Sequence, residues 1–164
     1  MNKDFANLHD AGVQLAEILE EQPTAVIAIV GQGAEIAIEV ARKFHVPVIA
    51  VVLERDSATN EILSIDVTET STAGLHYVVD DAIETGQTTL RVLEVLQSSG
   101  YTNLRVAVPI SPRDTQSLLL PVSGPIIAVK RPMVRRSLSW HYEEVPATSQ
   151  EAALAMISEY NNAL

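Results

Sequence analysis

The stretch Tyr77-Val-Val-Asp-Asp-Ala-Ile-Glu-Thr-Gly-Gln-Thr-Thr-Leu90 decides how this chain is organised. Its apolar start is typical of a buried strand, and the amphipathic run from Leu90 to Leu96 is typical of a helix. Two acidic residues, Asp80 and Asp81, end the strand. The pattern therefore predicts a strand, an acidic pair at its carboxyl end, a glycine-containing turn that we expect to be exposed, and a helix.

The turn between the acidic pair and the helix has the groups that bind a phosphate: backbone N–H donors, hydroxyls and the positive end of a helix dipole. The acidic pair cannot bind the same phosphate, because like charges repel. It can accept hydrogen bonds from vicinal hydroxyls or hold a hydrated Mg²⁺. A sugar phosphate about one ribose long fits this arrangement. The predicted phosphate-binding residues are Thr85, Gly86, Gln87, Thr88 and Thr89.

Composition excludes several classes of protein. The chain has 164 residues, of which 47% are hydrophobic, so we expect one domain over residues 1–164 with a substantial core. A net charge of -10 argues against nucleic-acid binding. The absence of cysteine excludes disulfides, thiolate zinc sites and a cysteine nucleophile. We see neither a signal peptide nor an apolar run long enough for a bilayer, and we expect a cytoplasmic protein without membrane contact.

Further apolar runs predict the remaining strands. Residues 25–30 and 46–53 are almost entirely apolar, which is typical of strands buried on both faces. Residues 61–67 follow a short polar turn, so we expect a hairpin that ends in an antiparallel edge strand. Residues 103–110 and 126–129 complete the set.

Helices are predicted between most of these strands. Periodic apolar positions indicate helices over residues 4–21 and 34–44, and Thr148 or Ser149 can cap a last helix that runs to Tyr160. Residues 118–125 are interpreted as a connection. Because strands and helices alternate, the sequence predicts a three-layer α/β/α fold. Its sheet would be mostly parallel, with about six strands and one antiparallel edge strand.

Polar or glycine-rich residues follow four of the predicted strands. In a parallel sheet these positions meet at one edge, where ligands of α/β proteins bind. The Gly31-Gln32-Gly33 turn between a strand and a helix is a second anion-binding geometry. The other three segments are Asp80-Asp81, residues 111–114 and Lys130-Arg131.

The segment from Val78 to Thr89 resembles the phosphoribosyl-pyrophosphate motif of type I phosphoribosyltransferases, which has two apolar residues, two acids, a short spacer and a Thr-Gly-x-Thr turn. The resemblance implies transfer of a 5-phosphoribosyl group from phosphoribosyl pyrophosphate to a nitrogenous base, with purines among the candidates. Pyrophosphate would be released, and Mg²⁺ would enter with the donor. Asp80 and Asp81 would hold the ribose hydroxyls and, through water, the Mg²⁺. Residues 85–89 would hold the 5′-phosphate, and residues 31–33 the pyrophosphate.

The resemblance also suggests roles for three single residues. Glu84 would act as a general acid or base, unless it is simply a solvated loop acid. Arg113 would read a carbonyl of the base, or it would pair with Asp114. Trp140 would stack on the base, or it would pack against the last helix. We also expect a homodimer.

Two departures from the family keep other functions open. The pyrophosphate loop usually has Arg or Lys where this chain has Gln32, and Arg55 is the first candidate for a replacement cation. The lid predicted over residues 68–74 is short. A non-catalytic regulatory domain that binds phosphoribosyl pyrophosphate or a nucleoside monophosphate is therefore an alternative, whereas the converging strand ends disfavour a module without a ligand.

A basic cluster follows the last strand and would form a solvated face, a subunit contact or a site for an anionic acceptor. Its members are Lys130, Arg131, Arg135 and Arg136.

Overall fold

The computed structural model describes residues 2–68 and 71–164, which contain six strands. Within these residues, helices separate the strands except before and after the third strand. The strands are β1 (Ala25–Ile29), β2 (Val48–Arg55), β3 (Ile62–Val67), β4 (Leu75–Val79), β5 (Asn103–Ile110) and β6 (Ile127–Lys130). The helices are α1 (Leu8–Ile18), α2 (Gly33–Phe44), α3 (Gln87–Ser98), α4 (Gln116–Ser123), α5 (Leu138–His141) and α6 (Gln150–Asn162). None of the described helices combines the length and apolar character that crossing a membrane requires.

The six strands form one sheet in the order β3-β2-β1-β4-β5-β6. Strands β2, β1, β4, β5 and β6 are parallel to one another, and β3 pairs antiparallel with β2 at the edge. Every residue of β1 and β4 is buried, as their uninterrupted apolar sequences predict for central parallel strands. The mostly parallel sheet and its antiparallel edge strand are confirmed.

Helices cover both faces of the sheet because the side chains of each strand alternate between two cores. In β1, Val26 and Ala28 belong to the core beneath α1, α2 and α6. Ala25 and Ile27 belong to the core on the opposite face, which α3 and α4 cover. The predicted three-layer α/β/α arrangement is therefore present.

Local side-chain contacts fix several helix ends. The Asn7 side chain accepts a hydrogen bond from the Asp10 N–H and starts α1, and the Ser149 hydroxyl accepts one from the Ala152 N–H and starts α6. Ser149 rather than Thr148 is therefore the N-cap of the last helix. Helix α2 ends at Phe44, and the C-cap residue His45 that follows has a left-handed φ of 55°.

Several sequence-based boundaries were wrong. Helix α1 spans Leu8–Ile18 and is shorter at both ends than the predicted residues 4–21. Residues 118–125 are not merely a connection, because α4 spans Gln116–Ser123 with Pro121 inside it. Helix α3 begins at Gln87, three residues before the predicted Leu90, so the end of the glycine turn is already helical. Strand β2 runs to Arg55 instead of ending at residue 53, which brings a charged residue to the carboxyl edge of the sheet.

Candidate active site

The turn after β4 delivers the first residues of α3 to the carboxyl edge of the sheet. Gly86 has a φ of +87°, a left-handed conformation that glycine adopts without strain. The Thr85 hydroxyl accepts a hydrogen bond of 3.4 Å from the Gln87 N–H. The first N–H groups of any α-helix have no acceptor within the helix, so this turn retains the donors that anion binding requires.

The expectation that this glycine is exposed was wrong. Gly86 is buried, and a Cβ atom at this position would lie 3.1 Å from the Leu118 side chain of α4. Because α4 was not predicted, this neighbour could not be anticipated from the sequence. Glycine is therefore favoured here by its backbone conformation, and a larger residue would also crowd the Leu118 side chain of α4.

The acidic pair follows β4 directly and is partly buried. The Asp81 N–H donates a hydrogen bond of 2.8 Å to Asp80 Oδ1. Burial is the larger cause, and the charge of Asp81 the next, of a pKa of Asp80 that lies well above its ordinary value. Burial also raises the pKa of Asp81. Two adjacent buried carboxyls are thus difficult to ionise together. This environment favours a partner that supplies hydroxyl donors or positive charge.

The glycine turn after β1 lies against this acidic pair. A Cβ atom on Gly33 would lie 3.1 Å from Asp80 Cα, so the glycine permits the start of α2 to approach the end of β4. Gly31 has a left-handed φ of +120°. Gln32 is the N-cap residue of α2, and its Nε2 donates to the Pro146 carbonyl at 3.3 Å. The turn therefore brings backbone donors and an uncharged amide to the edge.

Positive charge reaches this part of the edge from β2. Arg55 Nη1 donates to the Asn60 carbonyl, and its Nη2 donates to the Thr88 hydroxyl, each at 2.9 Å. Its charge partly opposes the rise in the pKa of Asp80. Arg55 was named from the sequence only as a replacement cation, and the predicted end of β2 at residue 53 hid its position at the strand terminus.

These groups surround one open cavity of about 350 Å³. The cavity is where most of the sequence-predicted residues meet, whereas Gly31, Gly33 and Gln87 do not line it. Its polar lining consists of Gln32, Arg55, Asp80, Asp81, Glu84, Thr85, Thr88 and Thr89.

A second cavity, of about 280 Å³, lies next to the first. Residues 81–84 line both cavities, and Glu84 itself is exposed. The second cavity is otherwise lined by apolar side chains and by residues of the segment between β6 and α5. Its charged or titratable lining residues are Asp81, Glu84, Arg135, Arg136 and His141.

Two residues predicted to contact the base line neither cavity. Arg113 Nε donates to the Arg131 carbonyl at 3.2 Å. Asp114, the alternative partner of Arg113, is paired with Arg135 at 3.0 Å. Trp140 is 54% exposed, and its ring lies 4.5 Å from the Arg136 guanidinium carbon. Base contacts by Arg113 and Trp140 stay predictions.

Sequence reasoning missed His141. Its ring is buried at 4% exposure, and Nδ1 lies 2.7 Å from Asp4 Oδ2. Within the part of the chain that is described, its Nε2 has no hydrogen-bond partner. A buried polar atom without a partner costs about 1–3 kcal/mol. No local pattern could reveal this pair, because the two residues are 137 positions apart.

The carboxyl oxygens of the acidic pair suit a metal cation that enters the site together with a ligand. Among residues 2–68 and 71–164, no cluster of three or more His, Cys, Asp or Glu side chains could enclose a metal ion. Asp80 and Asp81 nevertheless offer adjacent carboxyl oxygens, which fit a hydrated Mg²⁺ whose remaining ligands are water and substrate oxygens. The predicted lid includes residues 69 and 70, which lie outside the described residues.

Comparisons with solved structures give the same fold. TT1426 from Thermus thermophilus is 18% identical with a TM-score of 0.80, over 95% of this chain and 98% of that one. Orotate phosphoribosyltransferase from Aeropyrum pernix is 26% identical with a TM-score of 0.60, over 73% and 68%. A hypothetical protein from Neisseria gonorrhoeae with bound ppGpp is 16% identical with a TM-score of 0.60, over 97% and 98%.

The sequence comparisons define the family. No curated protein matches the chain. The family model described as the phosphoribosyl transferase domain matches residues 6–130, which is most of the chain and includes both glycine turns and the acidic pair. The chain therefore belongs to the phosphoribosyl transferase domain family.

Proposed function

We propose that the chain is a phosphoribosyltransferase that moves a 5-phosphoribosyl group from phosphoribosyl pyrophosphate to a nitrogenous base. The observation that carries this proposal is the first cavity, in which an acidic pair, a threonine-rich helix start and an arginine face one another. An acidic group suits the hydroxyls of a ribose, and the helix start suits its phosphate.

The donor would span the first cavity. Its 5′-phosphate would accept hydrogen bonds from the N–H groups of residues 86–89 and from the Thr88 hydroxyl. The ribose hydroxyls would donate to Asp80 and Asp81, whose buried carboxyls gain partners in this way. The pyrophosphate would lie at the 31–33 turn within reach of Arg55. Mg²⁺, when it enters with the donor, supplies positive charge that offsets the diphosphate.

The reaction would exchange one bond at the ribose C1′ for another. The C1′–O bond to pyrophosphate breaks, and the C1′–N bond to the base forms. Pyrophosphate leaves with the bonding electron pair. A base nitrogen that carries a proton loses it, whereas a pyridine nitrogen has none to lose and becomes a pyridinium. Glu84 borders both cavities, and we assign it the role of accepting that proton where the base carries one. The remaining rate enhancement would come from holding donor and base in line and from stabilising the positive charge at C1′.

A turnover assay tests the proposal. The protein is incubated with phosphoribosyl pyrophosphate, Mg²⁺ and a panel of purine, pyrimidine and pyridine bases, and nucleotide and pyrophosphate are measured by mass spectrometry. We expect a nucleotide and pyrophosphate in equal amounts with one class of base. Where that base gives up a proton, turnover should be slower in Glu84→Gln. Absence of product with every base, in protein that binds the donor, would refute the enzymatic function.

A second candidate function is a regulatory domain that binds a nucleotide without turnover. Gln32 favours it, because an amide replaces the charge that the family usually places in the pyrophosphate loop. The Neisseria gonorrhoeae protein of this fold, solved with bound ppGpp, is a further argument. Tight binding of a nucleoside monophosphate or of ppGpp, together with no product in the turnover assay, would support this function.

A further inference from the structure

The second cavity combines features that a single kind of ligand satisfies. Residues 81–84 line both cavities, so a molecule in the second cavity would lie beside a donor in the first. Part of the wall between the charged groups is apolar, with the side chains of Ile83, Ile110, Pro112, Pro132 and Leu138. Such a wall suits a planar heterocycle.

The segment after β6 brings two cations to this cavity, Arg135 and Arg136. Arg135 is paired with the exposed Asp114 carboxylate at 3.0 Å. Arg136 lies over the ring of Trp140 at 4.5 Å, and this uncharged partner leaves its positive charge available. The acids Asp81 and Glu84 line the part that this cavity shares with the first one, whereas the two arginines line only the second cavity. There they favour a ligand group with negative charge.

His141 adds a polar side chain to the lining of this cavity. Its ring borders the cavity and is held by Asp4 through Nδ1 at 2.7 Å. Its Nε2 makes no hydrogen bond to the residues that the structure describes. Buried polar side-chain atoms nearly always have a partner, so the described residues leave the hydrogen bonding of His141 incomplete at this cavity.

We infer that the second cavity holds the acceptor base and selects one that bears an anionic group, such as a heterocyclic carboxylic acid. This inference rests on the proposed function, because it assumes that a phosphoribosyl group occupies the first cavity. The acceptor nitrogen would face Glu84 and the ribose, and the anionic group would face Arg135 and Arg136.

Matched pairs of nucleotides test this selection, because each pair shares the 5′-phosphate and ribose. Orotidine 5′-monophosphate differs from uridine 5′-monophosphate by one carboxylate. Nicotinic acid mononucleotide differs from nicotinamide mononucleotide by a carboxylate in place of an amide. Calorimetry at low salt should show that the acid binds at least about tenfold more tightly in one of the pairs. Because the arginines are exposed, the preference should shrink at higher salt.

The double variant Arg135→Gln, Arg136→Gln should reduce this preference to less than about threefold and change little the affinity for the two nucleotides that lack the carboxylate. A matched control removes two arginines elsewhere: Arg42 in the last turn of α2 and Arg105 near the start of β5, away from the carboxyl edge. Arg42→Gln, Arg105→Gln should keep the preference.

The possible results separate the inference from the proposed function. Equal affinity within both pairs, or a preference that survives the Arg135→Gln, Arg136→Gln change, would overturn the selection of an anionic acceptor and leave phosphoribosyl binding intact. Failure of all four nucleotides to bind would instead remove the proposed function on which the inference rests.

Discussion

Replacing Gln32 with arginine tests whether the 31–33 turn faces the pyrophosphate of the donor. Gln32 lines the first cavity and is partly exposed, and its side chain is held by one hydrogen bond to the Pro146 carbonyl. Gln32→Arg adds the charge that the family usually has in this loop. The variant should therefore strengthen donor binding and leave binding of a nucleoside monophosphate nearly unchanged, because the monophosphate uses residues 85–89.

The expected magnitudes for affinity and stability have opposite signs. A charge-assisted hydrogen bond contributes roughly 1.5–3 kcal/mol, and partial exposure favours the lower end. At 1.4 kcal/mol per factor of ten, donor affinity should rise about tenfold. The free energy of unfolding should fall by roughly 1–2 kcal/mol, because the hydrogen bond to Pro146 is lost and a cation at the N-terminus of α2 opposes the helix dipole.

Isothermal titration calorimetry with the donor and with a monophosphate, together with urea unfolding, measures both effects. Gln97→Arg is the matched control. It adds the same charge near the C-terminal end of α3, about 15 Å along that helix from Gln87, whose end of the helix faces the first cavity. The reasoning is refuted if Gln32→Arg lowers stability but leaves donor affinity unchanged, or if the control strengthens donor binding equally.

Three further predictions concern the first cavity and the core. Thr88→Val removes the hydroxyl that accepts a hydrogen bond from Arg55. Calorimetry should show that ribose 5-phosphate binds about tenfold more weakly to this variant. Unchanged affinity would exclude this hydroxyl from the phosphate site. Asp80→Asn with Asp81→Asn should weaken Mg²⁺-dependent donor binding much more than binding of inorganic phosphate, and equal loss for both ligands would contradict this role. The double variant should also raise the free energy of unfolding at pH 7. The reason is that burial raises the pKa of both carboxyls, so their ionisation disfavours the folded state. Burial lowers the pKa of His76, so the unfolded chain takes up its proton first and stability should fall below about pH 6.5, by up to roughly 1.4 kcal/mol per pH unit. His76→Phe keeps the ring contact with Tyr101 and should reduce this loss in urea unfolding, whereas an unchanged pH dependence would assign it to other groups.

The fold was largely predictable because its strands carry strong local signals. The apolar runs that became β1 and β4 have no charged interruption, and the acidic pair marks where β4 ends. Helix α4 was missed because a proline such as Pro121 usually ends a helix. Here the fully buried Leu119 packs the segment against α3. Packing between distant elements thus outweighed local preference.

The candidate site was predictable where it depends on one continuous segment. The acidic pair and the threonine turn lie within ten residues of sequence, and the structure brings both to one cavity. The second cavity could not be predicted in this way. It depends on His141 meeting Asp4 from the opposite end of the chain, and on Arg135 pairing with Asp114 across a loop. Such contacts have no sequence period.

A crystal structure of the protein with a nucleoside 5′-monophosphate tests the central claim most directly. The account predicts phosphate oxygens within about 3 Å of the backbone nitrogens of residues 86–89, a usual hydrogen-bond distance. It also predicts that the ribose hydroxyls contact Asp80 and Asp81 and that the base lies in the second cavity, beside Glu84. A phosphate bound instead at Arg135 and Arg136, with residues 85–89 making no contact to the nucleotide, would contradict it.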